Sequence, residues 1–176
     1  MSRVIRKSRQ RASGEAAALL SAVFSAELIS PSKCIWLVSP WISDVPLIDN
    51  RADSFETLAR WGPGYVRLSE ILTTLVELGS TIVLGTADAP SNTQFLHRMR
   101  TNVADRRLNE RLVIDVDSSN ELHEKAITTD DAVVAGSMNI TNNGIFVREE
   151  YLELRTDGQF VARSRMDAYE RFGGRL

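Results

Sequence analysis

The chain has 176 residues, 43% hydrophobic and 25% charged, with a net charge of −2 and a single cysteine. That length suits one domain that buries roughly 70% of its unfolded surface and needs no disulfide or metal staples. No apolar run nears the ~20 residues of a membrane span, no signal-peptide core follows the basic start, and Cys34 in "CIWLV" reads as a buried thiol, so a soluble cytoplasmic protein is expected.

Charge is unevenly distributed. Arg3, Arg6, Lys7, Arg9 and Arg11 precede the first acid, Glu15, which leaves 16 basic against 23 acidic residues in the remainder. Residues 1–12 are therefore expected as a basic arm on an acidic body, residues 13–176 as one domain. The arm suits either a phosphate backbone or plain solvation as a disordered terminus.

In "EAAALLSAVFSAELI" (15–29), Leu20, Phe24 and Leu28 fall at i, i+4, i+8 beside Leu19 and Val23, which predicts an amphipathic helix ended by Pro31. "KCIWLVS" predicts a buried strand ending near Pro40. The segment from Ser43 to Tyr65 carries two prolines and two glycines and reads as a loop with a short helix. Leu68, Ile71, Leu72 and Leu75 mark a second helix stopped by Gly79, and "STIVLGT" a second buried strand. Ser91 and Gln94 have capping-box spacing before a helix that buries Phe95, Leu96, Met99 and Val103. "RLVIDV" is a third strand, "HEKAIT" and "AVVAGSMN" a strand pair, "EYLELRT" another strand, and 159–172 a final helix. Strand–helix alternation followed by a hairpin predicts an α/β layered domain with a mixed sheet and helices on both faces.

The stretch "ELHEKAITTDDAVVAGSMNIT" (121–141) carries the chemistry. Residues two apart on a strand share a face, so His123 and Lys125 are expected together, as are Ser137 and Asn139 on the partner strand. A hairpin turning at Asp130 and Asp131 is expected to gather all four on one polar surface suited to an oxyanion. Lys125 offers charge, Ser137 and Asn139 offer hydrogen-bond donors, and His123 offers a nucleophile or proton relay.

These residues resemble the phospholipase D superfamily signature, HxKxxxxD followed by GSxN, through His123, Lys125, Asp130, Gly136, Ser137 and Asn139. Six fixed residue types would recur by chance roughly once in 10⁷ starting positions. Glu150 stands where the family places an acid at the start of a strand, and "IWLVSPWIS" looks like the family's first strand. The resemblance covers residues 15–172. The Asp130-to-Gly136 spacer is one residue short, which leaves Asp130 and Asp131 as alternatives for the family aspartate. On size and its single motif the chain also resembles the small phospholipase D-like proteins encoded with bacterial systems that put 7-deazaguanine derivatives into DNA and restrict unmodified DNA.

The resemblance implies a metal-independent phosphodiesterase without cofactor, in which one histidine attacks phosphorus and a second protonates the leaving oxygen. Larger members carry two motifs and this chain has one, so a homodimer with paired His123 residues is implied. Lys125 and Asn139 are implied as the phosphate clamp, and Glu150 as the group that orients an imidazole. His97, in "HRMR", completes no second motif and is expected to be exposed on its helix. Arg98, Arg100, Arg106, Arg107 and Arg111 read as a solvated face or a DNA contact, and Trp36, Trp41 and Trp61 as packing residues rather than base-stacking platforms.

Three function classes follow. The first is a DNA nuclease or nuclease subunit of a bacterial defence system, with DNA, a second copy and other proteins of that system as partners. The second is a DNA-binding or assembly subunit with the same fold and weak turnover. The third is a lipid phosphodiesterase or phosphatidyltransferase, ranked last because no basic amphipathic helix offers a membrane interface.

Overall fold

The computed structural model describes residues 2–6, 14–53, 55–119 and 121–176. In chain order its main elements are β1 (Ser2–Arg6), α1 (Gly14–Ile29), β2 (Cys34–Val38), β3 (Pro46–Asp49), β4 (Tyr65–Arg67), α2 (Leu68–Glu77) and β5 (Thr81–Ala87). There follow α3 (Thr93–Ala104), β6 (Leu112–Asp117), β7 (Ala126–Thr128), β8 (Val133–Gly136), β9 (Tyr151–Arg155) and α4 (Gly158–Phe172). Seven strands form one mixed sheet in the order β1-β9-β8-β7-β2-β5-β6. β2, β5 and β6 pair in parallel, and every pairing from β2 through β7, β8 and β9 to β1 is antiparallel.

The apolar run of β2 has the length and character of a strand covered on both faces. All five of its residues are buried. Ile35 and Leu37 join the core under α1, α2 and α3, whereas Cys34, Trp36 and Val38 pack with Ala168 and Phe172 of α4. Helices thus lie on both faces, as the sequence predicts. On α1 the expected stripe of Leu19, Leu20, Val23, Phe24 and Leu28 is buried, each large side chain contributing roughly 1.5–3 kcal/mol of transfer free energy.

Several expectations change. Residues 2–6 of the basic segment form an edge strand on β9, with Ile5 only 3% exposed. The rest of the expected arm lies outside the described residues. The expected loop contains a small antiparallel sheet, β3 with β4, and a 3₁₀ helix, Glu56–Trp61. These strands are too short to show a period of two in the sequence. The Ser91 capping box does not form. A 3₁₀ turn at Pro90–Asn92 moves the N-cap of α3 to Asn92, whose side chain bonds elsewhere. His97 is exposed on α3, as expected.

The arginine cluster is partly engaged by the protein itself. Arg98 pairs with Asp44 at 2.8 Å, Arg106 with Glu77 at 2.7 Å, and Arg111 donates to the Gly79 carbonyl. Among the described residues, no helix is long and apolar enough to cross a membrane.

Candidate active site

The strand pair carrying the motif is real but shorter than expected. Its register sets Ala126 opposite Ala135 and Thr128 opposite Val133. A continued ladder in this register would place Ser137 beside Glu124, on the face opposite Lys125. Instead β7 begins at Ala126 and β8 ends at Gly136, so His123 and Lys125 lie in irregular chain, as do Ser137 and Asn139. The last link between the two segments is the Gly136 N–H donating to the Lys125 carbonyl at 3.2 Å. The four residues therefore gather at one end of the sheet without forming one face of a hairpin.

Local packing explains the glycine of the motif. A Cβ on Gly136 would lie far inside van der Waals contact with the Tyr151 carbonyl oxygen. Its absence brings β8 close to β9, and the Ser137 N–H donates to that same oxygen at 2.9 Å. The Ser137 hydroxyl then donates to Glu150 Oε2 at 2.5 Å and accepts the Tyr151 N–H at 3.0 Å. Ser137 and Glu150 thus form one hydrogen-bonded unit, as their spacing on adjoining segments requires.

Asn139 is fixed from the other side. Buried Ser39, just past β2, lies 3.4 Å from Asn139 Oδ1, accepts the Ile140 N–H at 3.2 Å and donates to the Trp41 carbonyl at 2.8 Å. A parallel bridge between Ile42 and Ile140 joins the two segments. Gly144 lets the short π-helical turn Asn143–Val147 fold back against the Asn139 carbonyl, where a Cβ would clash.

These segments enclose a cleft of about 300 Å³ at the carboxyl end of β2, whose lining includes Asn139, Glu150, Arg148, Trp41, Asn142 and Asn143. The crevice outside the carboxyl ends of parallel strands is the usual binding place in open α/β sheets. Asn139 and Glu150 share this cleft; exposed His123 and half-buried Lys125 reach the same end of the sheet but do not line it. The Lys125 ammonium is turned back on the His123 carbonyl at 2.6 Å. It has no carboxylate partner among the described residues.

Asp130 lies elsewhere. It sits past β7, at the end of the sheet where β2 begins, and accepts the Lys33 N–H at 2.9 Å. Its own N–H donates to Ser32 Oγ at 2.9 Å, and its carboxylate pairs with Arg165 of α4 at 2.9 Å. The five residue-to-residue steps from Lys125 to Asp130 span about 16 Å when extended. Of the two candidate aspartates, Asp130 is the integrated one; Asp131 is exposed in the turn. Buried Glu27 completes this far-end network by accepting both the N–H and the hydroxyl of Ser32. Burial pushes the Glu27 carboxyl above its usual range, against the pull of the Ser32 hydrogen bonds. Burial likewise pushes the Cys34 thiol up to about 11.

The sequence reading missed Arg148, Ser39 and Trp41. Arg148, two residues before Glu150 in "VREE", is a cation on the cleft wall. Trp36 is buried and donates to the Gly173 carbonyl at 2.8 Å, and Trp61 donates to Thr74 Oγ1 at 3.0 Å with the Arg60 and Arg106 guanidinium groups over its ring. Both are the packing residues expected, but Trp41 is 49% exposed on the cleft.

The mixed seven-stranded sheet with helices on both faces is a phospholipase D-type α/β sandwich. It matches the structure of a phospholipase D family member, Nuc from Salmonella typhimurium, with a TM-score of 0.63 at 14% identity, covering 99% of this chain and 96% of that one. NucT from Helicobacter pylori matches with a TM-score of 0.58 at 13% identity, over 98% and 94% of the two chains. Phosphatidylserine synthase from Haemophilus influenzae matches 97% of this chain with 38% of its own, at a TM-score of 0.61 and 15% identity. No family model and no curated protein matches the sequence.

Proposed function

We infer that the chain is a phosphodiesterase of the phospholipase D type that cleaves DNA at a site shared by two copies, as a nuclease or nuclease subunit of a bacterial restriction system. The observation that carries this reading is the convergence of one motif's residues at one end of the sheet. Asn139 and Glu150 line a common cleft, Ser137 is locked to Glu150, and His123 and Lys125 emerge from the adjoining strand end. The fold shared with Nuc and NucT over nearly the whole chain supports it.

In this mechanism His123 attacks phosphorus, forming a P–N bond as the P–O bond to the leaving strand breaks. The second copy's imidazolium gives its proton to that leaving oxygen. Water then attacks phosphorus, the second imidazole takes the water's proton, and the P–N bond breaks. Lys125 swings from the His123 carbonyl to the phosphate and, with Asn139, stabilises the charge gathering on the non-bridging oxygens. Glu150, held by Ser137, orients an imidazole. Asp130 supports the opposite end of the sheet, past β7, through Lys33, Ser32 and Arg165. The cleft wall favours nucleic acid over lipid, since Trp41 is its single large apolar side chain and acyl chains need apolar lining.

The test is incubation of the purified protein with plasmid and short oligonucleotides in excess EDTA. Cleavage that disappears in His123→Ala supports the reading. A folded, dimeric protein that binds DNA without cutting it supports a binding or assembly subunit instead.

A further inference from the structure

We propose that Trp41 is a base-stacking platform, so that the cleft takes unpaired nucleotides in preference to intact duplex. This rests on the phosphodiesterase reading for its substrate class, and the structure supplies the argument from three sides.

The first is the exposure of Trp41. Solvent-exposed indole is unfavourable surface for a side chain of this size; Trp36 is buried, and Trp61 is half-buried with its N–H bonded to Thr74. Trp41 remains 49% exposed on a wall it shares with Asn139, Asn142 and Arg148.

The second is rigidity. The backbone on either side of Trp41 is clamped. Asn92, 1% exposed, accepts the Ile42 N–H at 2.9 Å and donates to the Pro40 carbonyl at 2.9 Å. Ser39 donates to the Trp41 carbonyl at 2.8 Å, and Ile42 is buried against the bridge to Ile140. The backbone from which the ring projects is therefore fixed, so a ligand that covers the indole has only two side-chain torsions to order.

The third is the lining. Apart from Trp41 and Gly144, the cleft is walled by serine, threonine, asparagine, arginine and glutamate side chains. One flat apolar face in a polar cleft suits a planar ring carrying a polar backbone, which describes a nucleotide. Bases inside a duplex show only their edges, so the face of a base reaches Trp41 only from a single strand, a frayed end or an extruded nucleotide.

The experiment measures equilibrium binding to the full-length His123→Asn protein in EDTA, so that no strand is consumed. The probes are fluorescein-labelled single-stranded DNA, single-stranded RNA of the same sequence, a paired duplex, and an abasic DNA strand. Adding Trp41→Ala should weaken binding of base-bearing single strands about 5–150-fold, the range seen for loss of one stacking partner. Trp41→Phe should restore most of the loss, while abasic strand and duplex should change little. Loss on DNA, on RNA or on both identifies the strand and supports the platform in each case. A second measurement needs no alanine variant. Base-bearing strand should quench indole emission, and that quench should be absent in Trp41→Phe. Equal weakening of abasic and base-bearing strands, no weakening of either, or a quench that survives in Trp41→Phe would overturn the proposal. Failure of the phosphodiesterase reading shows separately, as absence of cleavage by the wild-type protein, and leaves the binding result standing.

Discussion

Asp130 belongs to the motif but sits at the opposite end of the sheet from the cleft, so its removal should act on stability rather than on chemistry. Its carboxylate pairs with Arg165 at 2.9 Å, with both side chains mostly buried, 24% and 20% exposed. Taking one partner from a buried ion pair costs about 3–5 kcal/mol. Partial exposure lets water replace some of the lost interaction, which lowers the expectation for Asp130→Ala to about 2–3 kcal/mol. For a chain of this length that corresponds to a fall in Tm of roughly 5–10 °C. Asp130→Asn keeps an oxygen for the Lys33 N–H and loses only the charge, so it should cost about half as much. Urea unfolding measures the stability change, and cleavage in EDTA well below the Tm measures the activity. Both variants should retain most of their activity once folded. A variant with wild-type stability and no activity would refute this placement and return Asp130 to the chemistry.

Five further substitutions probe three other parts of the molecule. Ile5→Ala should cost about 2–4 kcal/mol by chemical denaturation, because Ile5 is buried in the edge strand, whereas Val4→Ala, 51% exposed, should fall within about 0.5 kcal/mol of wild type; equal effects would show that β1 does not pack. Ser137→Ala frees Glu150 and should lower kcat about 10–100-fold through mispositioning, with Glu150→Gln less severe because an amide still bonds Ser137; unchanged kcat in both would remove the pair from the site. Burial holds the folded Glu27 carboxyl above its ordinary 4.5, so the stability favoured by its protonated form is present at low pH and lost as pH rises through the folded value. Glu27→Gln should flatten that limb of a plot of Tm against pH, and an unaltered limb would assign it to another group.

The sequence was most legible where one segment carries its own pattern. The stripe of α1 and the five buried residues of β2 announce themselves, and so does the motif from His123 to Asn139. β1 was illegible because Ile5 is its single buried residue and its partner β9 lies at the far end of the chain. β3 and β4 have four and three residues, too few for periodicity. The common polar face expected for His123, Lys125, Ser137 and Asn139 required strands running through all four, and both strands stop short. One part of the site was legible in the spacing alone: an extended chain with four residues between Lys125 and Asp130 sets the two farther apart than a side chain can reach. The exposure of Trp41 could not be read, because it sits in irregular chain past β2 whose path is set by distant partners such as Asn92, which accepts the neighbouring Ile42 N–H.

The proposed site is completed by two copies of one motif. The measurement that tests it most directly is a subunit-mixing titration, with His123→Ala protein added to wild type under conditions that allow exchange, and cleavage followed in EDTA. A mixed dimer keeps one imidazole to attack and none to protonate the leaving oxygen, and general acid assistance is worth ~10²–10⁴ in rate. Activity should therefore fall as the square of the wild-type fraction. A fall linear in that fraction would mean that each chain carries a complete site, and the shared-site account would be wrong.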